Sequence, residues 1–429
     1  MDISNHRTRL GNGIDVLLTS NPAARTLTLS LLGRRGALDD PPGKAGLAHL
    51  VEHLWAAGEG GDGPASQTIE EVGGRLEGAT YPSYVRFEVQ VPEPRADVAR
   101  GTLAELFKRG PALDSFENER QAVLAECHEA REDVSQRVNA LTWDALGREP
   151  LYKGFRPDLF RGIEALEPDD VRRWPGLLGT DQWVLCAQSP AGPVGGGRDL
   201  LETLEEVFNL PTAPGTPRTP SPFRPERRTL VRIERVPEGS HLALGVLFAG
   251  AGLEPGDYAA AQVASNLLTG GNLGRLCREL RHERGLVYDV TSFATVDSEI
   301  GGMEFYTFVE EGKGEEAIGV FRDTLSAVAA GRFSPAELIR ATALASGSFL
   351  VEMESPARLA RWVSNRYLAL GWTLTPAEWY DLLLAVTAED LARMARSLFE
   401  RSQAVWAVSG PVSPALERAL RNLGEVEEV

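Results

Sequence analysis

The sequence predicts an α+β protein of two homologous halves, each a mainly antiparallel sheet packed with helices, joined by a proline-rich linker. The first half opens with strand-like segments (TRLGNGIDVLLTS, RTLTLSLLGRRGALDD) followed by a helical pattern, and RTLVRIERV and SHLALGVLFAGAGLEPGD open the second in the same way. Each half ends on a short apolar strand, WVLCAQS and AVWAVSG. Strands followed by long helices, twice over, indicate duplicated α+β units.

The boundary between the halves is predicted from composition. Residues 211–225 contain six prolines and no apolar periodicity. Because proline fixes φ and removes a donor, this stretch is expected to be an extended linker. The chain of 429 residues is also long enough for two cores. We therefore expect an N-terminal half at 1–209, a linker at 210–228 and a C-terminal half at 229–429.

Charge and composition exclude several classes of protein. The formal net charge of −17 argues against a nucleic-acid partner, because no basic stripe is present to neutralise phosphates. The three scattered cysteines are expected to be small buried hydrophobes rather than a disulfide framework. The start of the chain does not resemble a signal peptide, and no apolar run approaches the roughly 20 residues that span a bilayer. A cytoplasmic protein without a membrane partner is expected.

The stretch AHLVEHLWAAG at residues 48–58 carries two histidines four residues apart. A helix turns by about 100° per residue, so His49, Glu52 and His53 share one face. The opposite, apolar stripe consists of Leu47, Leu50, Val51 and Leu54. Two imidazoles one turn apart can bind one zinc ion, with the glutamate beside the open coordination position. The alternative is that this polar stripe simply faces water.

A third ligand would decide between these interpretations. The segment DSFENERQAVLAECHEAREDVSQRV is predicted to be a helix with Asp114 or Ser115 as its N-cap. Its apolar stripe is predicted to consist of Val123, Cys127, Ala130 and Val134. Glu126 falls inside that stripe, where a buried carboxylate needs a compensating cation. Glu119 lies two turns earlier and could accept a hydrogen bond from a ligating histidine.

HLVEH followed by ERQAVLAE resembles the inverted zinc motif of the pitrilysin–insulinase metallopeptidases, the inverzincins. In that family the third ligand is a glutamate some seventy residues after the second histidine, and Glu126 follows His53 by 73 residues. The flanking GKAGLAHLVEHLWAAG and IEEVGGRLEGATY are also similar to the family pattern. The resemblance covers nearly the whole chain and implies two homologous α+β halves. In length the chain is similar to the short bacterial-type members and to processing peptidase subunits.

The resemblance implies a role for each motif residue. His49, His53 and Glu126 would bind zinc, one ion per chain. Glu52 would be the general base that activates a zinc-bound water for attack on the peptide carbonyl. Glu119 would orient a ligating histidine by accepting its second N–H.

Two further elements follow from the same resemblance. In LRHERGLVY, Arg281 and Tyr288 match an Arg-x6-Tyr pair that in relatives reaches across a chamber to the substrate backbone and the developing oxyanion. The strand with Glu77, Gly78, Ala79 and Thr80 is expected to bind substrate as an added β-strand. The family usually has Asn-Ala where this chain has Glu-Gly, which puts substrate preference in doubt.

The function that the resemblance implies is a zinc-dependent endopeptidase. It would cleave peptides or unfolded segments inside a dimeric clam-shell chamber, as a homodimer or as a heterodimer with a related chain. The alternative is a non-catalytic scaffold or substrate-holding subunit of a heterodimeric peptidase of the same family. A metal-dependent hydrolase of another substrate is a third reading, which the strand-addition surface disfavours.

Overall fold

The computed structural model describes most of the chain. The described residues are 3–57, 64–146, 157–174, 179–190, 200–208, 215, 226–236, 241–251, 253–296, 300–310 and 312–429. The predicted linker at 210–228 therefore lies largely outside the described residues. Residues 58–63, in the glycine-rich stretch that follows HLVEH, also lie outside the described residues.

The strands are β1 Ser4–Arg9, β2 Asp15–Ser20, β3 Thr26–Gly33, β4 Arg75–Thr80, β5 Val85–Pro92, β6 Trp183–Ser189, β7 Thr229–Arg235, β8 His241–Ala251, β9 Val287–Val296, β10 Ile300–Glu310, β11 Gln403–Gly410 and β12 Glu425–Glu428. The α-helices are α1 Leu47–Ala56, α2 Pro64–Glu70, α3 Ala96–Arg109, α4 Phe116–Glu132, α5 Val134–Asp144, α6 Pro157–Glu164, α7 Pro168–Arg173, α8 Leu200–Val207, α9 Pro255–Thr269, α10 Gly314–Ala329, α11 Pro335–Met353, α12 Pro356–Leu370, α13 Pro376–Leu384, α14 Ala388–Arg401 and α15 Pro414–Arg421. A π-helix covers Cys277–Glu283.

Two six-stranded sheets with the same topology organise the chain. The first has the order β1-β2-β6-β3-β5-β4 and the second β12-β7-β11-β8-β10-β9. The sheets share five strands, β2–β6 in the first and β7–β11 in the second. In each set the first and last strands along the chain pair in parallel, and the other neighbouring strands pair antiparallel. The sheets differ at one edge, where β1 pairs antiparallel with β2 but β12 pairs parallel with β7. The predicted fold of two homologous, mainly antiparallel α+β halves is confirmed.

Contacts between residues divide the chain into two compact units that are not continuous in sequence. Unit 1 comprises Met1–Ala130, Leu151–Thr219 and Glu352–Ala377, and unit 2 comprises Arg131–Pro150, Pro220–Val351 and Glu378–Val429. Thus α5 from the first half of the sequence belongs to unit 2, and α12 from the second half belongs to unit 1. The predicted boundary at 210–228 lies between the strands of the first sheet and those of the second along the chain. It did not anticipate that α5 and α12 belong to the unit of the other sheet.

In unit 1, the sheet separates an apolar layer from a polar one. Alternate residues of β5 point to opposite faces. Val85, Phe87, Val89 and Val91 join α1 and α3 in a large buried core. The other face carries Arg86 and Glu88, both buried. Helix α12 contacts the neighbouring strands β3 and β6.

The three cysteines, Cys127, Cys186 and Cys277, are free and buried, as the sequence predicted. Across the described part of the chain, every helix is too short or too polar to cross a membrane.

Candidate metal centre

The start of α1 is fixed by a glycine and a carboxylate. Gly46 has φ +89°, a left-handed conformation that glycine adopts without strain. A Cβ at Gly46 would also lie 2.4 Å from Cγ1 of Ile163. The Asp40 carboxylate accepts hydrogen bonds from the backbone N–H groups of Gly46 and Ala48, both at 2.8 Å. These bonds satisfy donors that the first helical turn leaves unpaired.

The predicted apolar stripe of α1 is buried. Leu47 is 3 % exposed, and Leu50, Val51 and Leu54 are fully buried. At the end of the helix the Trp55 ring contacts Phe87 and Trp183, with centroids 5.5 and 5.3 Å apart. Its indole N–H donates to the Leu106 carbonyl at 2.8 Å. Burial of this stripe leaves the opposite face, with its two histidines, directed away from the core.

The second predicted helix, α4, contains both glutamates. Val123, Cys127 and Ala130 are buried as predicted, but α4 ends at Glu132 and Val134 begins α5. The side chain of Glu126 is 43 % exposed. The inference that Glu126 is buried within the stripe was therefore wrong, because one residue of offset from Cys127 rotates it by about 100° to the margin of the stripe. Its position beside the histidines is what distinguishes it.

The structure brings the three predicted ligands together. Nε2 of His49 and Nε2 of His53 are 3.2 Å apart. The Glu126 carboxylate spans both rings, with Oε2 3.5 Å from Nε2 of His49 and Oε1 3.5 Å from Nε2 of His53. Among the described residues, this is the one group of three or more histidine, cysteine or acidic side chains close enough to share an ion, with ligand atoms all within 4.8 Å.

This donor set fits zinc. Zinc accepts histidine nitrogen and carboxylate oxygen, and tetrahedral bonds of about 2.0–2.1 Å separate neighbouring ligand atoms by roughly 3.3 Å. The separation of 3.2 Å between the two Nε2 atoms, and of 3.5 Å from each Nε2 to its nearer Glu126 oxygen, is close to that value. Nδ1 of His53 lies 3.2 Å from an oxygen of Glu119. A proton on Nδ1, donated to Glu119, leaves the Nε2 lone pair directed at the cluster.

Glu52 lies beside this cluster in a nearly closed environment. The residue is 7 % exposed, and burial raises the pKa of its carboxyl group to about 7, against the opposing effects of His53 and Thr80. The Thr80 hydroxyl donates to Oε2 of Glu52 at 3.3 Å. Such a carboxyl group can accept and release a proton near neutral pH.

The strand next to Glu52 is β4, the last strand of the first sheet among the described residues. Two glycines introduce it: Gly73 has φ +76°, and a Cβ at Gly74 would lie 2.5 Å from the Gln90 carbonyl. At Gly78 a Cβ would lie 1.9 Å from Oε1 of Glu52. The Glu52 carboxylate thus occupies the space that the alanine of the family pattern would fill.

Glu77 faces the other side of β4. Its carboxylate pairs with Arg75 on the same strand at 3.1 Å and with Arg361 of α12. These partners hold the pKa of Glu77 below its usual range, against the effect of burial. Arg361 was not predicted as part of the site, because it lies far from Glu77 in sequence and carries no local motif.

Arg281 and Tyr288 lie in unit 2. Arg281 belongs to the π-helix and Tyr288 to β9, and the guanidinium lies 4.9 Å from the centroid of the tyrosine ring. Tyr288 is 82 % exposed, which leaves its hydroxyl accessible. The catalytic roles implied for this pair remain predictions.

Unit 2 has a polar pocket at the position that corresponds to the candidate metal centre. There α9 packs against the edge strand β9 as α1 packs against β4. A pocket of about 470 Å³ lies at this position. Its polar lining includes Gln262, Ser265, Asn266, Thr269, Asp289, Thr291 and Ser292. The first three repeat the i, i+3, i+4 spacing of the histidine motif without its ligands, and Ser265 and Thr269 bond Ser292 at 2.7 Å.

Comparisons with known proteins agree with the fold and the family resemblance. Residues 15–153 match the family model for insulinase (peptidase family M16), and residues 197–344 match the model described as the peptidase M16 inactive domain. A protein of Streptomyces coelicolor named an uncharacterized zinc protease is 25 % identical, over 95 % of this chain and 89 % of its own. The mitochondrial-processing peptidase subunit beta of Blastocladiella emersonii is 26 % identical, over 94 % and 88 %. A protease from Helicobacter pylori has the same fold, with a TM-score of 0.81 at 17 % identity, over 95 % of this chain and all of the other.

The two sheets of shared topology and the cluster of His49, His53 and Glu126 define the class as an α+β protein with a candidate metal-binding site. The chain belongs to the pitrilysin/insulinase (M16) peptidase family.

Asp40→Ala should lower the free energy of unfolding by about 1–2 kcal/mol, because two N–H groups of the motif helix lose their acceptor. Urea denaturation of the metal-free protein measures this change. Asp169→Ala, which removes an exposed carboxylate, is the control and should change stability by less than about 0.5 kcal/mol. Equal stability of the two variants would contradict the capping role.

Proposed function

We propose that the protein is a zinc-dependent endopeptidase that cleaves peptides or unfolded segments. The observation that carries this proposal is the convergence of His49, His53 and Glu126 beside the buried Glu52. A scaffold protein has no need to keep three ligand-type side chains and a carboxylate in this arrangement. The names of the relatives, zinc protease and processing peptidase subunit, support the same assignment.

His49, His53 and Glu126 would hold one zinc ion per chain, with Glu119 fixing the orientation of His53. Zinc, when bound, supplies a Lewis acid that polarises a carbonyl and acidifies water. Glu52 accepts a proton from the attacking water and delivers it to the leaving amine nitrogen as the peptide bond breaks. Thr80 holds the Glu52 carboxylate through its hydroxyl.

The substrate would bind as an extended strand along β4. This strand pairs with β5 on one side, and none of the strands in the described part of the chain pairs with its other edge. Main-chain hydrogen bonds from residues 77–80 would hold the peptide backbone without reading its sequence, and alternate side chains would select among substrates. Gly78 brings that backbone close to Glu52.

Arg281 and Tyr288 would donate hydrogen bonds to the substrate backbone and to the oxyanion that develops during attack. The exposed tyrosine hydroxyl is suited to a group that reaches outward to a bound peptide. We further propose that chains pair into a clam-shell chamber, as homodimers or with a related chain. Such a chamber would admit flexible segments and exclude folded proteins. A non-catalytic subunit is the alternative, and the experiments below distinguish it.

Purified protein loaded with zinc should contain about one ion per chain by elemental analysis, because one three-ligand set is present. Glu126→Ala should weaken zinc binding by at least tenfold, since a third of the donor set is lost. Glu129→Ala, one turn along α4, is the matched control and should bind zinc normally. Equal binding by both variants would exclude Glu126 as a ligand.

Glu52→Gln should retain zinc but lose peptide cleavage by a factor of about 10² or more, because the amide cannot accept the proton. A quenched fluorescent peptide library with and without chelator measures this loss, and sizing on the same sample gives the oligomeric state. Cleavage by Glu52→Gln at the wild-type rate would remove Glu52 from the mechanism. A wild-type chain that binds zinc but cleaves nothing would support the non-catalytic alternative.

Arg281→Ala and Tyr288→Phe should lower turnover by about tenfold or more, because each removes a donor to the developing charge, while the zinc content stays the same. Arg278→Ala is the control, since Arg278 pairs with Glu283 at 3.3 Å on the same helical segment. Turnover that is unchanged in both variants would show that these residues have no part in the reaction.

A further inference from the structure

The edge strand β4 is held from both faces. Leu76, Gly78 and Thr80 face α1, where Glu52 lies against Gly78 and bonds Thr80. Arg75 and Glu77 point to the opposite face, as alternation along a strand requires. On that face the side chain of Arg361 reaches the sheet from α12.

Arg361 bridges the two outermost strands. Its Nε donates to Oε1 of Glu88 on β5 at 2.8 Å, and one terminal nitrogen contacts the same oxygen at 2.7 Å. That terminal nitrogen also donates to Oε2 of Glu77 on β4. Glu77 and Glu88 are directly paired residues in the antiparallel register. One guanidinium thus joins two carboxylates that would otherwise repel each other across the strands.

The bridge is strong on the β5 side because Glu88 is buried. Glu88 is 2 % exposed and also accepts a hydrogen bond from Ser30 at 3.0 Å. A buried carboxylate without a cation is costly, so Glu88 fixes the position of Arg361. The nearest other guanidinium nitrogen, Nε of Arg86, is 4.0 Å from Glu88 and makes no hydrogen bond among the described residues. Among the described residues, Arg361 is therefore the main cationic partner of Glu88.

The β4 side of the bridge depends on Glu77, the residue at which this chain departs from the family pattern. An asparagine at this position would carry no charge to pair with Arg361. Glu77 is about one-third exposed, so its pairing with Arg361 does not come from deep burial of the carboxylate. The pairing of Glu77 with Arg361 connects β4, the edge strand that pairs with β5, to the buried Glu88.

We propose that Arg361 is a positioning residue that holds the edge strand β4 in place for substrate through its bridge from Glu88 to Glu77. The part of this inference that concerns substrate rests on the proposed function. The effect of Arg361 on the position of β4 does not depend on catalysis. Since β4 also contacts Glu52 through Gly78 and Thr80, a shift of the strand moves the peptide-binding edge relative to the catalytic carboxylate. Because the main chain of β4 would supply the hydrogen bonds that hold the peptide, a looser strand weakens substrate binding more than it slows the chemical step.

Hydrogen exchange of the full-length protein tests the bridge without requiring activity. In Arg361→Gln, the β4 amides that bond to β5 should exchange roughly tenfold faster or more, because the charge-assisted bonds to the strand pair are lost. Arg361→Lys, which keeps the cation, should restore most of the protection. Arg358→Gln, on the same helix at an exposed position, should match the wild type.

If Arg361→Gln does not fold, Glu77→Gln carries the test, because it removes the negative charge that pairs with Arg361 on β4 and leaves the Glu88 pair intact. Its β4 amides should exchange roughly threefold faster. Exchange in β4 that is unchanged in the variants that fold, or increased equally in Arg358→Gln, would overturn the bridge.

Peptide cleavage then tests the consequence for substrate. In Arg361→Gln and Glu77→Gln, KM should rise roughly tenfold and threefold, with a smaller fall in kcat and unchanged zinc content, and Arg361→Lys should recover most of the loss. A normal KM despite faster β4 exchange would overturn the link to substrate. A wild-type chain without peptidase activity would refute the proposed function, and the exchange measurements would still decide the bridge.

Discussion

The Nε2 atoms of His49 and His53 lie 3.2 Å apart because an unbroken helical turn separates them. The Glu126 carboxylate lies against both rings, with Oε2 3.5 Å from Nε2 of His49 and Oε1 3.5 Å from Nε2 of His53. Holding three such groups together restricts both helices that carry them. The buried leucine stripe and the Asp40 cap fix α1, and the stripe of α4 that contains Val123 and Cys127 fixes its partner. The rest of unit 1 can be understood as support for this arrangement.

The edge strand β4 connects this cluster to the surface at which we propose that a peptide binds. Its inner face lies so close to Glu52 that a glycine is required at Gly78 for the observed position of the carboxylate. Its outer face is joined to the buried Glu88 by Arg361. In unit 2 the same topology produces a pocket lined mostly by neutral side chains, without the ligand set. Duplication thus supplied two similar frameworks, and the histidine–glutamate set lies in unit 1.

Much of the fold was predictable because its signals are local. The 3.6-residue periodicity identified α1 and its buried stripe, and the proline-rich stretch and repeated strand pattern indicated two halves. The wrong inference, burial of Glu126, failed because helical periodicity places a residue around the helix axis but does not show where the packing partner that covers that face ends. The exchange of α5 and α12 between units, and with it the pairing of Arg361 with Glu77, could not be predicted. These contacts join residues hundreds of positions apart, and tertiary packing alone determines them.

Anomalous diffraction at the zinc absorption edge, from crystals of the zinc-loaded protein, tests the central claim most directly. The account predicts one peak per chain in unit 1, within about 2.0–2.2 Å of Nε2 of His49, Nε2 of His53 and a Glu126 oxygen. A peak coordinated elsewhere, or zinc bound without Glu126, would contradict it.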